Sequence, residues 1–220
     1  VGETGWHVRS TFALYGVLRD HLAQDDAYVA AHLPLYYERG NPRARRAPDC
    51  MVIRGVGDHE RRSFKTWFEG AVPEIVFELA SDETFREDLG AKRLLYQGLG
   101  VCEYFLFDPL GDCLDPRLQG FRLDGREYGE LAPDVDGSLI SHVLGLRLIA
   151  EGTLLRAIDL RTNRPLPTFE EKAAELAREA GRIERERQRV AALAAEVERL
   201  RGLLGRQGRS ATASPPGTRG

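Results

Sequence analysis

The run Glu74-Ile75-Val76-Phe77-Glu78-Leu79 constrains this chain more than any other segment. It is short, apolar and rich in β-branched and aromatic residues, the pattern of a strand buried on both faces at the centre of a sheet. Thr84, with Glu87 three residues later, matches a capping box and predicts a helix from there to about Gln97, stopped by Gly98 or Gly100. Glu103 to Asp108 (EYFLFD) then reads as a second buried strand, broken by Pro109. A central strand, a helix and another buried strand predict a mixed α/β domain with a sheet covered by helices.

The flanking segments extend that pattern. Trp6 to about Gln24 carries Val8, Phe12, Leu14, Tyr15, Leu18 and Leu22 at three-to-four spacing, an amphipathic helix. Tyr28 to Tyr37 is extended, with Pro34 marking an edge or bend. A Gly/Pro/Arg-rich loop from Gly40 to Arg46 leads into a strand from Asp49 to Ile53, and Phe121–Leu123 and Glu127–Leu131 flank an Asp124-Gly125 hairpin turn. Three regions emerge: 1–165 as the α/β domain, 166–207 as a charged helix, and 208–220 (GRSATASPPGTRG) as a small, polar, disordered tail.

Composition narrows the class. Hydrophobic residues at 42% and charged residues at 30% indicate a soluble globular chain, and no stretch approaches the ~18 apolar residues of a membrane span. No basic-then-apolar leader opens the sequence, which begins VGETGWH without a Met and so points to residues preceding Val1. The net charge of −3 excludes a uniformly basic nucleic-acid binder. Because residues 169–209 hold ten basic and eight acidic side chains, the remainder is more acidic than the whole, and a DNA partner would rely on local patches. Cys50, Cys102 and Cys113 lack metal-ligand spacing and read as buried free thiols of a reducing cytoplasm.

Glu78 is the anomaly in the central strand. A buried carboxylate without partners costs several kcal/mol or takes up a proton. Asp49 opens a neighbouring strand, and two carboxylates at adjacent strand ends can converge on a hard divalent cation. The spacing equally allows two ordinary strand-end acids facing water or an arginine. Asp88 and Lys92, four apart, share a helix face; the lysine can act on a metal-bound water or a phosphate, or form a plain surface ion pair.

The order Pro48-Asp49, Glu78-x-x-Ser81, Asp88-x-x-x-Lys92-x-x-x-Tyr96, Gly100-Val101-x-Glu103-Tyr104 and Asp108-Pro109 resembles the Uma family of bacterial restriction-endonuclease-like proteins, a branch of the PD-(D/E)XK nucleases. Glu3-Thr4-x-Trp6-His7 and Leu35-Tyr36-Tyr37-x-x-Gly40-Asn41-Pro42 are similar to the same family, and the resemblance spans about residues 2–165. It implies a restriction-endonuclease-like fold and Mg²⁺- or Mn²⁺-assisted hydrolysis of DNA phosphodiesters. Asp49 and Glu78 would hold the metal, with Glu3 as a further ligand, and Ser81, Tyr96 and His7 would support them. The chain departs from the superfamily pattern at Ala80, where a lysine normally follows the second acid by two residues; Lys92 is the candidate substitute. An inert nuclease-fold module that binds nucleic acid or protein is the alternative.

Two basic clusters flank the Asp49 strand and can line one mouth for DNA: Arg39, Arg43, Arg45 and Arg46, then Arg54, His59, Arg61, Arg62 and Lys65, the second interleaved with Phe64, Trp67 and Phe68. In the C-terminal helix, Phe169, Leu176, Ile183, Val190, Val197 and Leu204 recur every seven residues, joined three positions later by Leu193 and Leu200 but earlier by Lys172, Glu179 and Glu186. β-Branched residues at the first position and Leu at the second favour a parallel two-stranded coiled coil, hence a homodimer; a single helix lying on its own domain is the other reading. Gly202 and Gly205 weaken its end.

Overall fold

The computed structural model describes the backbone of residues 5–210 and the side chains of residues 5–202. The chain forms two compact units, residues 1–169 and 170–220. In the first, α1 (Gly5–His21) precedes β1 (Ala27–Ala31), β2 (Leu35–Tyr36), β3 (Arg45–Arg46), β4 (Cys50–Arg54), β5 (Phe64–Lys65), α2 (Thr66–Glu69) and β6 (Ile75–Leu79). Then come α3 (Phe85–Glu87), a π-helical turn (Asp88–Lys92), α4 (Arg93–Leu99), β7 (Glu103–Phe107), β8 (Leu118–Asp124) and β9 (Glu127–Glu130). Four further strands follow: β10 (Leu139–Ser141), β11 (Leu146–Glu151), β12 (Leu154–Asp159) and β13 (Arg164–Pro165).

The main sheet has the order β1-β4-β6-β7-β8-β9, and only its central pair, β6 and β7, runs parallel. The fold is therefore mixed α/β. Every residue of β6 and β7 is buried, because both faces of the sheet are covered. Strand alternation divides the two cores. Ile75, Phe77 and Leu79 join Leu14 and Leu18 of α1 and Leu146 and Leu148 of β11. Val76 and Ala80 face the other way, among Met51, Tyr96, Tyr104 and Leu106. Glu78 lies between Val76 and Ala80 in that alternation and so faces the α4 side.

Buried Glu103 ties the main sheet to the second sheet, β10-β11-β12-β13. It accepts hydrogen bonds from Arg122 Nε (3.0 Å), Ser141 Oγ (2.5 Å) and the His142 amide (3.0 Å). Asp108, in the loop after β7, accepts four backbone amides, from Leu110, Gly111, Cys113 and Leu114. Burial raises its pKa, but those amides outweigh burial and hold it below the usual carboxylate range. Gly120 of β8 pairs with Phe105, and a Cβ there would sit 2.9 Å from both the Phe105 ring and Leu139. Gly120→Ala is therefore expected to cost about 1–3 kcal/mol in urea denaturation, the usual range for overpacking a filled core; a variant as stable as the parent would show that the two sheets can part there.

Several local expectations change. Thr84 precedes the helix, but its side chain makes no capping bond, and the helix is interrupted by the π turn before ending at Gly100, where φ is +85°. Cys50 is buried, Cys113 half-buried and Cys102 exposed, so the three free thiols are not uniformly interior. The strands after residue 138, for which the sequence offers no reading, form a sheet of their own. In the second unit, the helix α5 (Phe169–Ser210) runs through Gly202 and Gly205 without ending. Residues 208–210 of the predicted tail continue that helix, and 211–220 lie outside the described residues.

Candidate active site

The pairing of β4 with β6 places Cys50 opposite Phe77, so the next position along aligns Asp49 with Glu78. The Leu79 amide donates to Asp49 Oδ2 at 2.6 Å. Asp49 Oδ1 lies 3.0 Å from His7 Nε2 and 3.6 Å from His32 Nδ1. His7 comes from α1. His32 follows β1 in a left-handed conformation (φ 51°), and its amide donates to the Pro48 carbonyl at 3.0 Å, which carries the ring to Asp49. Strained backbone of this kind costs roughly 1–3 kcal/mol and persists only where its surroundings enforce it.

Glu78 is held from α4 and the π turn. Tyr96 donates its hydroxyl to Glu78 Oε1 at 2.7 Å, and Lys92 Nζ lies 3.1 Å from Glu78 Oε2 and 2.7 Å from Asp88 Oδ1. Asp88 and Lys92 bound the π turn, a helical irregularity frequent at functional sites. The Asp88 carbonyl accepts the Tyr104 hydroxyl at 3.0 Å, which anchors that turn on β7. Ala80, two residues after Glu78, ends in a methyl on the same face, and the ammonium arrives from the helix instead.

The electrostatics follow from burial. Burial pushes Glu78 up to about 8; Asp49 and Asp88 add to this, and Lys92 and Tyr96 oppose it without cancelling it. Burial also raises Asp88. For Lys92, burial works against the charge, but Glu78 and Asp88 outweigh it and hold the lysine above its ordinary pKa. Burial, then the Glu78 charge, raises Tyr96, so its hydroxyl remains a donor. Lys92 is thus a fixed cation shared by Glu78 and Asp88, both of which burial favours in the protonated form.

A hard divalent cation beside Glu78 would favour its ionised form and so displace its proton. Among the described residues, no group of three or more His, Cys, Asp or Glu is arranged as a metal cage. Asp49 and Glu78 are two carboxylates that could hold a cation of the Mg²⁺ kind, with water and phosphate completing its shell.

Of the sequence-predicted residues, Asp49 and Glu78 fall at neighbouring positions of adjacent strands, Lys92 and Tyr96 contact Glu78, and His7 contacts Asp49. Glu3 lies outside the described residues. Ser81 shares a hydrogen bond with Thr84 (3.0 Å). His32 escaped sequence reasoning, as nothing around it forms a motif. Asp88 had a signal in its spacing to Lys92, but its burial did not.

The second basic cluster is divided: Arg54 and Arg61 are engaged within the fold, whereas His59, Arg62 and Lys65 are exposed. Arg61 pairs with Glu69 at 3.1 Å, stacks 4.5 Å over the Tyr28 ring and has a side chain only 3% exposed. Arg54 is tied to Asp25 and Glu74, and Phe64 is fully buried. Arg39, Arg43, Arg45, His59, Arg62, Lys65, Trp67 and Phe68 are at the surface, and Arg46 is half-buried.

The chain belongs to the Uma2 family, described as "putative restriction endonuclease", whose sequence profile matches residues 1–154. Among solved structures it is similar to a "putative nuclease belonging to DUF820" from Anabaena variabilis. The two are 15% identical, with a TM-score of 0.48 over 66% of this chain and 76% of that one. No curated protein matches the sequence. Among the described residues, no helix is long and apolar enough to cross a membrane.

Proposed function

We propose that the first unit is a divalent-metal-dependent endonuclease that hydrolyses phosphodiester bonds in DNA. One observation carries the reading: Lys92 stands 3.1 Å from Glu78, supplying from the helix the cation that Ala80 withholds from the strand. Asp49 and Glu78 are the residues that would hold Mg²⁺ or Mn²⁺. When bound, that ion polarises a phosphate oxygen and lowers the pKa of the attacking water. The protein's part is positioning. The Leu79 amide and His7 fix the two oxygens of Asp49, and Tyr96 fixes Glu78. Lys92, charged throughout the physiological range, offsets charge that develops on the phosphate rather than removing a proton. Three free cysteines suit the reducing cytoplasm of a bacterial cell, where DNA is at hand.

The test is a series of divalent ions against supercoiled plasmid and single-stranded DNA. Cleavage with Mg²⁺ or Mn²⁺, and none in chelator, is the expected result. DNA binding without cleavage in any metal would make the chain a nuclease-fold binding module instead.

The second unit supports self-association. Leu176, Ile183, Val190, Leu193, Val197 and Leu200 are 45–68% exposed along α5, a seam with no cover of its own. In a parallel pair, Glu196 of one helix would face Arg201 of the other, whereas Arg182 and Arg187 would repel. The strong part of the seam therefore begins near Val190. Val190→Glu together with Val197→Glu is expected to halve the mass measured by light scattering; an unchanged mass would assign dimerisation elsewhere or remove it.

A further inference from the structure

The sheet β3-β2-β5 has two dissimilar faces. Its register sets Arg46, Leu35 and Phe64 in one row and Arg45, Tyr36 and Lys65 in the next. Leu35 and Phe64 are fully buried, so the second row faces outward. There Arg45 donates to the Tyr36 hydroxyl at 3.1 Å, with its guanidinium 6.0 Å from the centre of that ring, and Lys65 is exposed. The chain passes directly from Lys65 into α2, which presents Trp67 at 39% and Phe68 at 81% exposure. An exposed phenyl at that level has no folding role to explain it, and in the chain it follows exposed Lys65 by three residues.

The charge here opposes that of the whole chain. Residues 36–47 hold four arginines against Glu38, although the chain carries −3 overall. The row also leads into the active site. β3 runs through Ala47 and Pro48 to Asp49, so the Cα atoms of Arg45 and Asp49 are at most about 13 Å apart along an extended chain. Arg46, in the inner row, pairs with Glu87 at 3.1 Å, next to Asp88.

We propose that this outer face binds single-stranded DNA, with Arg45 and Lys65 on the phosphates and Phe68 and Trp67 as platforms for unpaired bases. The inference rests on the nuclease reading for the choice of DNA, and it narrows the substrate to strands that are single, frayed or opened near the cut. The polyanion answers the local positive charge. The rings decide between single strand and duplex, because a stacked, paired base has no free face to offer a phenyl, whereas an unpaired base does.

The experiment is fluorescence anisotropy in chelator, where no cleavage occurs, on oligo-dT of about 20 nucleotides, longer than a typical single-fold site. A duplex of equal length and oligo-U are the comparisons. The expected result is single-strand binding about tenfold tighter than duplex binding, with Phe68→Ala removing roughly that factor for the single strand alone. Arg45→Ala and Lys65→Ala should weaken both forms and each reduce the salt slope by about one. Phe68 is exposed, so its variant folds as the parent does, which identical thermal melts would show. Duplex bound as tightly as oligo-dT, Phe68→Ala without a selective effect, or oligo-U preferred to oligo-dT would each overturn the proposal. The two readings fail separately. Plasmid cleavage without single-strand preference removes this one and leaves the nuclease. Phe68-dependent binding without cleavage in any metal keeps this one and removes catalysis.

Discussion

Glu78→Gln is expected to lower metal-dependent cleavage by about 10³-fold, the rate equivalent of roughly 4 kcal/mol of lost charge stabilisation. It is also expected to flatten the dependence of stability on pH. The sign follows from linkage. Glu78 has its pKa raised to about 8 in the folded protein against 4.5 in the unfolded chain. Its contribution to stability is complete below pH 4.5 and is lost as pH rises through about 8, because the folded state must then hold an ionised carboxylate in a buried site. Glutamine is neutral at every pH and has no such loss. In chelator, the parent should therefore lose a few kcal/mol relative to Glu78→Gln between pH 5 and pH 9. Mg²⁺ at pH 8 should raise the melting temperature of the parent and leave the variant where it is, since only a ligand bound to the folded state stabilises it. Parallel pH profiles, or cleavage by Glu78→Gln at the parent rate, would remove Glu78 from the metal site.

How much of this was legible depends on the range of the forces involved. Ile75–Leu79 and Glu103–Phe107 could be read because full burial writes itself into consecutive apolar residues. The Asp124-Gly125 turn could be read because Gly125, at φ 62°, answers a local steric demand. Asp49 and Glu78 were singled out through the order of motifs, since neither spacing nor composition separates a metal ligand from a strand-end acid. His32 was missed because only the pairing of its amide with Pro48, sixteen residues on, brings it to Asp49. The π turn leaves no mark in a three-to-four periodicity, although it sets where Lys92 emerges. Arg61 was misread for a different reason. In sequence, an arginine solvated beside DNA and one buried between Glu69 and the Tyr28 ring look alike.

Lys92→Met should be the most destabilising single change in the site. Its ammonium is the cation shared by two buried carboxylates, at 3.1 and 2.7 Å, and the variant keeps the aliphatic volume while removing the charge. Leaving one side of a buried ion pair uncompensated typically costs about 3–5 kcal/mol. The loss should be nearly complete at pH 8 and much smaller at pH 5. Burial raises both Glu78 and Asp88, and without the lysine each takes up its proton more readily still, so acid neutralises the charges the variant cannot pair. Urea denaturation at the two pH values measures this, and an equal loss at both would mean that Lys92 contributes packing rather than charge. Combining Lys92→Met with Glu78→Gln separates the pair from its surroundings. If Glu78 is the carboxylate that the lysine compensates, the double variant should recover part of what Lys92→Met alone loses at pH 8, a coupling on the order of 0.5–3 kcal/mol for contacting groups. Strict additivity would make Asp88 the lysine's partner. Glu78 would then owe its position to Tyr96 alone, and the active site would be assembled by the metal rather than by the lysine.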